Sequence, residues 1–227
     1  MKYIQHQYKV LTLLFFLTGI TFAQEVYLGS GFASASFEEY ENSEGENTLN
    51  NTGYTKPLDL MFESGFRFNL YRDRVKLDAG FTYNKYQINT SFYSGNIRIP
   101  TTYNLSYLGL KAGINISVIE WKRLKLQLHS HFSHDWLIFG TNEYRDVFVN
   151  IYKDKTLDRT LVSFHRGIGM EFEINDTISA YLRYNIKTSF KENNQDDVNG
   201  EKYALRANSF GVGLIFDLSK TIKKQNN

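Results

Sequence analysis

The stretch LHSHFSHDW at 128–136 gathers the side chains most able to do chemistry. His129, His131, His134 and Asp135 are metal-ligand types. Yet side chains on a strand point alternately to opposite faces, so His134 faces away from His129 and His131 and the set is divided. His131 and Ser133 share a face, and with it the parity of Lys125 and Gln127.

A second group of reactive types is spread more widely. Glu63 and Arg67, Asp78, Lys111, Glu171 and Glu173, and Arg183 and Lys187 each fall on the polar parity of an alternating segment. Both signs occur in equal number. Charges so balanced pair with one another and plug a narrow space rather than line a selective pore.

These side chains must be positioned by strands. Residues 178–187, ISAYLRYNIK, place Ile178, Ala180, Leu182, Tyr184 and Ile186 on one parity and Ser179, Tyr181, Arg183, Asn185 and Lys187 on the other. Such period-2 alternation predicts a strand with one apolar and one polar face. It recurs at 25–37, 57–70, 74–88, 102–119, 123–139, 160–174, 177–190 and 203–218. Three connections are short: Tyr71-Arg72-Asp73, Glu120-Trp121-Lys122 and Asn175-Asp176. The other four, 38–56, 89–101, 140–159 and 191–202, are long and polar. An even strand count with short turns on one rim and long loops on the other is the pattern of an outer-membrane barrel.

The two faces decide which side is inside. The polar parity intersperses glycine (Gly65, Gly80, Gly109, Gly113, Gly167, Gly169, Gly211, Gly213) with the long charged side chains. That suits an eight-stranded lumen filled by side chains, whereas on a solvated face the glycines would only weaken the strands. The opposite parity carries Leu58, Leu60, Phe62, Phe66 and Phe68, then Leu108, Leu110, Ile114 and Ile116, then Phe210, Val212, Leu214 and Phe216. These suit lipid. Tyr71 and Trp121 at the short-turn rim, and Trp136, Phe139 and Tyr203 toward the long-loop rim, are expected to form aromatic girdles. Arg166 breaks the pattern, standing on the apolar parity between Phe164 and Ile168. A bulge or a position near the headgroups would reconcile it.

The ends frame this domain. Lys2 and Lys9 precede an apolar run, Val10 to Phe22, closed by Ala23, which reads as a cleaved signal peptide over 1–23. The barrel domain is then 24–218, followed by a short basic tail, 219–227. Removing the two lysines takes the formal charge from +2 to zero, so no basic field points to nucleic acid. With no cysteine in the sequence, disulfides, thiolate chemistry and lipid anchoring through cysteine are excluded.

The whole reading is an all-β fold. It is an eight-stranded antiparallel up-and-down transmembrane β-barrel with short periplasmic turns and long extracellular loops. In architecture and in its terminal strand, NSFGVGLIFDL at 208–218, it resembles small outer-membrane barrels of the OmpA-barrel and OmpX kind, and especially PorT-like barrel proteins. The resemblance implies residence in outer-membrane lipid, handling by the barrel-assembly machinery and Phe216 as the aromatic of the terminal signal. It implies no shared activity and no cofactor. The tail after Leu218 departs from the usual flush C-terminus. The expected role is structural, or contact with a surface or envelope protein through the long loops. Two alternatives stand beside it. His131-Phe132-Ser133 is similar to the His-x-Ser of outer-membrane lipid A deacylase barrels, which implies acyl hydrolysis with Ser133 as nucleophile. The Asn-Ala that follows there is replaced by His134-Asp135. A soluble lipocalin-like periplasmic carrier shares the alternation turned inside out, but the first strand lacks the Gly-x-Trp motif.

Overall fold

The computed structural model describes residues 24–41, 49–50, 54–94, 97–144, 147–154, 157, 159–190 and 202–219. The signal-peptide segment and the tail from 220 onward lie outside them. Eight long strands stand among the described residues: β1 (Glu25–Glu41), β2 (Asp59–Tyr71), β3 (Val75–Ser94), β4 (Ile97–Trp121), β5 (Leu124–Tyr144), β6 (Thr160–Glu173), β7 (Ile178–Ser189) and β8 (Lys202–Asp217). Each pairs antiparallel with its sequence neighbours. The ring closes where β1 meets β8, with Phe32 opposite Phe210 and Gly29 opposite Gly213. No edge remains at that seam, so the ladders satisfy the backbone around the ring without water, as a bilayer requires.

The short turns follow local chemistry. At Tyr71-Arg72-Asp73-Arg74, Arg72 and Asp73 have φ of 44° and 57°, and the Arg74 amide donates to the Tyr71 carbonyl at 2.9 Å. Two consecutive left-handed residues form the hairpin turn whose twist matches that of the strands. Lys122, with φ 53°, turns β4 into β5. Between β6 and β7 the Asn175 side-chain oxygen accepts from the Thr177 and Ile178 amides, both at 2.9 Å.

At the other rim the strands outrun their expected limits. β3 and β4 remain in register to Ser94 opposite Ile97, so most of the expected 89–101 loop is a hairpin. β5 runs on to Tyr144 and pairs with a short strand, Val147–Val149, which leads into a helical turn, α1 (Ile151–Asp154). Beyond the hydrocarbon both faces of a strand meet water or loops. The contrast between parities that marks a strand in sequence therefore fades there, while backbone pairing continues.

The burial pattern is that of a membrane barrel. Leu28, Phe32, Phe62, Leu110, Phe132, Ile168 and Phe172 are exposed on the outer wall, while Arg67, Asp78 and Arg183 are buried inside. A lipocalin-like carrier has the reverse arrangement.

Candidate functional site

The lumen is the place where polar chemistry collects. Among the described residues it holds five buried cations (Arg67, Lys76, Lys111, Arg183, Lys187) and five buried anions (Glu25, Glu63, Asp78, Asp135, Glu171). Nearest the short turns, Lys76 Nζ lies 2.5 Å from Glu25 Oε1, and Arg67 Nη1 lies 3.1 Å from Glu171 Oε2 and 3.7 Å from Glu25 Oε2. The next layer centres on Asp78. Its Oδ2 is 3.7 Å from Arg67 Nε, 3.6 Å from Arg183 Nη2 and 3.4 Å from His131 Nε2, and accepts a hydrogen bond from Asn115 at 2.9 Å. Lys111 lies 2.5 Å from Glu63, which also meets Arg183 at 3.6 Å.

Two tyrosines organise this layer. Tyr27 donates to Asp78 Oδ1 and Tyr181 donates to Glu63 Oε1, each at 2.7 Å, and the rings meet edge to face with centroids 6.4 Å apart. The Arg183 guanidinium sits 4.6 Å from the Tyr181 centroid and 5.3 Å from that of Tyr27; Arg67 sits 5.3 Å from Tyr27. Such contacts add cation–π attraction to the ion pairs. The glycines make room for these rings. A Cβ on Gly65 or Gly80 would come within 2.5 Å of the Tyr27 hydroxyl, and one on Gly213 within 2.6 Å of the Tyr181 ring. At these three glycines the neighbour is an aromatic ring, while at Gly109 and Gly169 it is a charged side chain, Asp135 and Arg183, as the sequence pattern implies.

Above lies the cluster derived from 128–136. Asp135 Oδ2 is 2.8 Å from Lys187 Nζ and accepts from Ser133 at 2.8 Å and Ser163 at 3.0 Å. Ser133 Oγ is also 2.8 Å from His165 Nε2. The Ser133 hydroxyl donates to Asp135, and with that bond made His165 Nε2 can only donate to Ser133, an arrangement in which it does not serve as its base. His131 turns to Asp78 instead, and His129 Nε2 pairs with Asn185 at 2.5 Å. His134 faces outward and packs edge-on against Trp136, ring centroids 4.7 Å apart. The sequence pairing of His131 with Ser133 is therefore not formed.

The lumen ends in an apolar cap. Phe37, Tyr86, Tyr103, Leu105, Tyr107, Leu137, Leu161 and Tyr203 are buried together, and Ile151 of α1 packs onto them. Tyr107 and Tyr203 share a hydrogen bond of 2.7 Å between hydroxyls. Tyr203 is consequently no girdle residue. It stands on the same parity as Ser209 and Gly211, and its 0 % exposure puts it inside. The rest of the expected girdle, Tyr71, Trp121, Trp136 and Phe139, is exposed on the outer wall. Of the expected charge set, Glu63, Arg67, Asp78, Lys111, Glu171, Arg183 and Lys187 converge in the interior. Glu173 lies at the short-turn mouth, 2.9 Å from Lys125. Glu25, Lys76, Tyr27 and Tyr181 belong to the same network. Their parity was readable in the sequence, but nothing there distinguished them as partners.

A cavity of ≈ 20 Å³ lies beside Glu63, Lys111, His131, His165 and Lys187, about the room one water needs. A polar vestibule of ≈ 260 Å³ opens at the short-turn mouth, lined by Glu25, Lys76, Lys125 and Glu173 among others.

No family model matches the chain, and neither does any curated protein. Among solved structures it is similar to Neisserial surface protein A (NspA), with 13 % identity, 86 % of this chain and 96 % of that one covered, and a TM-score of 0.49. It is also similar to the outer membrane protein OprG from Pseudomonas aeruginosa, with 10 % identity, 86 % and 96 % coverage and a TM-score of 0.46. A third likeness is to the outer membrane protease OmpT from Escherichia coli, with 7 % identity, 85 % and 95 % coverage and a TM-score of 0.48. These are too distant to bear on activity. Strand register, closure at the β1–β8 seam, an apolar exterior and a charged interior are properties of the chain itself, and by them it is an eight-stranded transmembrane β-barrel of the outer-membrane type.

Proposed function

We propose that the barrel is a sealed, non-catalytic anchor in the outer membrane, and that its role, structural or through contact with a surface or envelope protein, is carried at the long-loop rim. The observation that supports this is the filled lumen. Five cations meet five anions below, and an aromatic cap lies above them. Paired charges held by several hydrogen bonds in so narrow a lumen favour a plug over a selective permeation path. Ser133, the one hydroxyl near an imidazole in the 128–136 cluster, sits inside this plug with its hydroxyl donating to Asp135, away from the leaflet where a lipid substrate would lie.

Reconstitution in planar bilayers tests the reading. The wild-type protein is expected to insert without conductance steps. A steady ion current through correctly folded, heat-modifiable protein would overturn the sealed anchor and make the charge layers a permeation path.

A further inference from the structure

Arg166 is the charged side chain that the outer wall carries within its apolar band. The pairing of β6 with both neighbours runs through it without a register shift, Ser130 opposite on β5 and Ile186 opposite on β7. A bulge therefore does not turn it inward, and it is exposed on the lipid-facing side between Phe164 and Ile168. No described residue forms an ion pair with it. The carboxylates of β6 and β8, namely Glu171, Glu173 and Asp217, lie on the inward parity, and β7 carries none.

Its height on the barrel is informative. Arg166 stands eight residues before Ile174 at the short-turn rim. At about 3.4 Å per residue and a tilt of about 40°, that is about 20 Å along the membrane normal. The apolar band of such barrels is about 25 Å tall. The guanidinium thus lies just below the long-loop interface, within reach of headgroups through its aliphatic stem.

The outer wall above Arg166 is polar toward β7 and β8, while Phe132 and Phe164 flank it toward β5. Thr188 of β7 is diagonal to Arg166 and directly opposite Arg206 of β8, whose ion-pair partner among the described residues is Glu38 at 3.5 Å. Tyr184 donates to Asn208 at 3.3 Å beneath them. Below this group the wall returns to hydrocarbon with Leu128, Ile168 and Phe210. Two guanidiniums and a hydroxyl above apolar side chains match an amphipathic anion with its charge at the headgroup level. Guanidinium is the group best suited to bidentate contact with phosphate. We infer that Arg166, with Thr188 and Arg206, forms a docking site on the outer wall for the phosphate of a phosphorylated glycolipid in the long-loop leaflet.

The test uses the full chain folded into phosphatidylcholine vesicles. These are prepared alone, with bisphosphorylated lipid A or with its dephosphorylated form, and the urea midpoint is read. Because vesicles present lipid A in both leaflets, the result does not depend on which rim faces outward. Phosphorylated lipid A is expected to raise the wild-type midpoint and its dephosphorylated form to leave it unchanged. In Arg166→Leu the apparent lipid affinity should fall roughly tenfold or more, as loss of a charge-assisted pair gives. The same variant should be at least as stable as wild type in phosphatidylcholine alone, since a leucine suits the outer wall between Phe164 and Ile168; this shows that it folds. Arg166→Lys should keep part of the effect. An undiminished rise in Arg166→Leu would overturn the proposal. An equal rise with inorganic phosphate in plain vesicles would do so too, by making the site one for soluble anions. Stabilisation of wild type by dephosphorylated lipid A would also end it, since contact would then rest on acyl chains.

Discussion

Asp78 is the residue on which the lumen turns. It is fully buried, accepts hydrogen bonds from Tyr27 and Asn115, and faces Arg67, Arg183 and His131. Replacing it by Asn keeps the shape and removes one negative charge, leaving five enclosed cations against four anions. Breaking a buried pair from one side costs about 3–5 kcal/mol, because the remaining charge keeps its desolvation penalty. Asp78→Asn is therefore expected to lower stability by about that amount, measured as a urea midpoint in bilayers. A change below about 0.5 kcal/mol would mean that water enters and solvates the two arginines. Arg183 belongs to the same calculation. Its partners are Glu63 and Asp78, because closure of the barrel brings β2 and β3 across the lumen to β7.

At the level of the element, β7 shows how one strand serves two solvents. Tyr181, Arg183, Lys187 and Ser189 are buried in the lumen, while Leu182 and Tyr184 face outward. Leu182 borders a shallow apolar groove with Met170, Phe172, Ala180, Val212 and Leu214. Leu182→Arg would set a charge among these groups and should cost about 2–4 kcal/mol near the midplane. Leu182→Phe should be nearly neutral, since acyl chains adjust to shape where a packed core does not. Equilibrium unfolding of the two variants in lipid vesicles separates these cases. A damaging Leu182→Phe would identify Leu182 as packed core and contradict the lipid-facing assignment. Arg166 differs from an engineered Leu182→Arg by its height on the wall, and height decides the cost of a charge in a bilayer.

For the whole molecule, closure and sidedness are the properties that matter. The rim with the β2–β3, β4–β5 and β6–β7 turns is tight, whereas β3, β4 and β5 project beyond the apolar band on the other side. With the tight rim toward the periplasm, a small epitope inserted between Ser94 and Ile97 should be labelled on intact cells. An epitope beside Asp73 should be reached only after the outer membrane is permeabilised. Labelling in the opposite sense would invert the barrel and move the Arg166 level to the inner leaflet. Tight turns also limit what the short rim can do: Asn69 donates to Asp73 within its own hairpin, and Asn175 is occupied by Thr177 and Ile178.

The strand periodicity by itself determined the barrel. Period-2 alternation fixes which side chains share a face, and an apolar face too large for a narrow lumen has only lipid to meet. Phe62, Leu110 and Phe210 outward, with Glu63, Lys111 and Arg183 inward, follow from that reasoning alone. Sequence could not say which inward residues would touch, because pairing across a lumen depends on the stagger of distant strands. Tyr27 reaches Asp78 across fifty-one positions and Tyr181 reaches Glu63 across 118. Nor could it place Tyr203, Tyr103 and Phe37 in a cap rather than a girdle. Above the hydrocarbon no lipid remains to hold aromatic rings outward, so burying them against one another is the favourable choice. The same limit hid the continuation of β3 and β4: backbone pairing carried those strands where side-chain contrast had ended, and only the closed tertiary structure records backbone pairing.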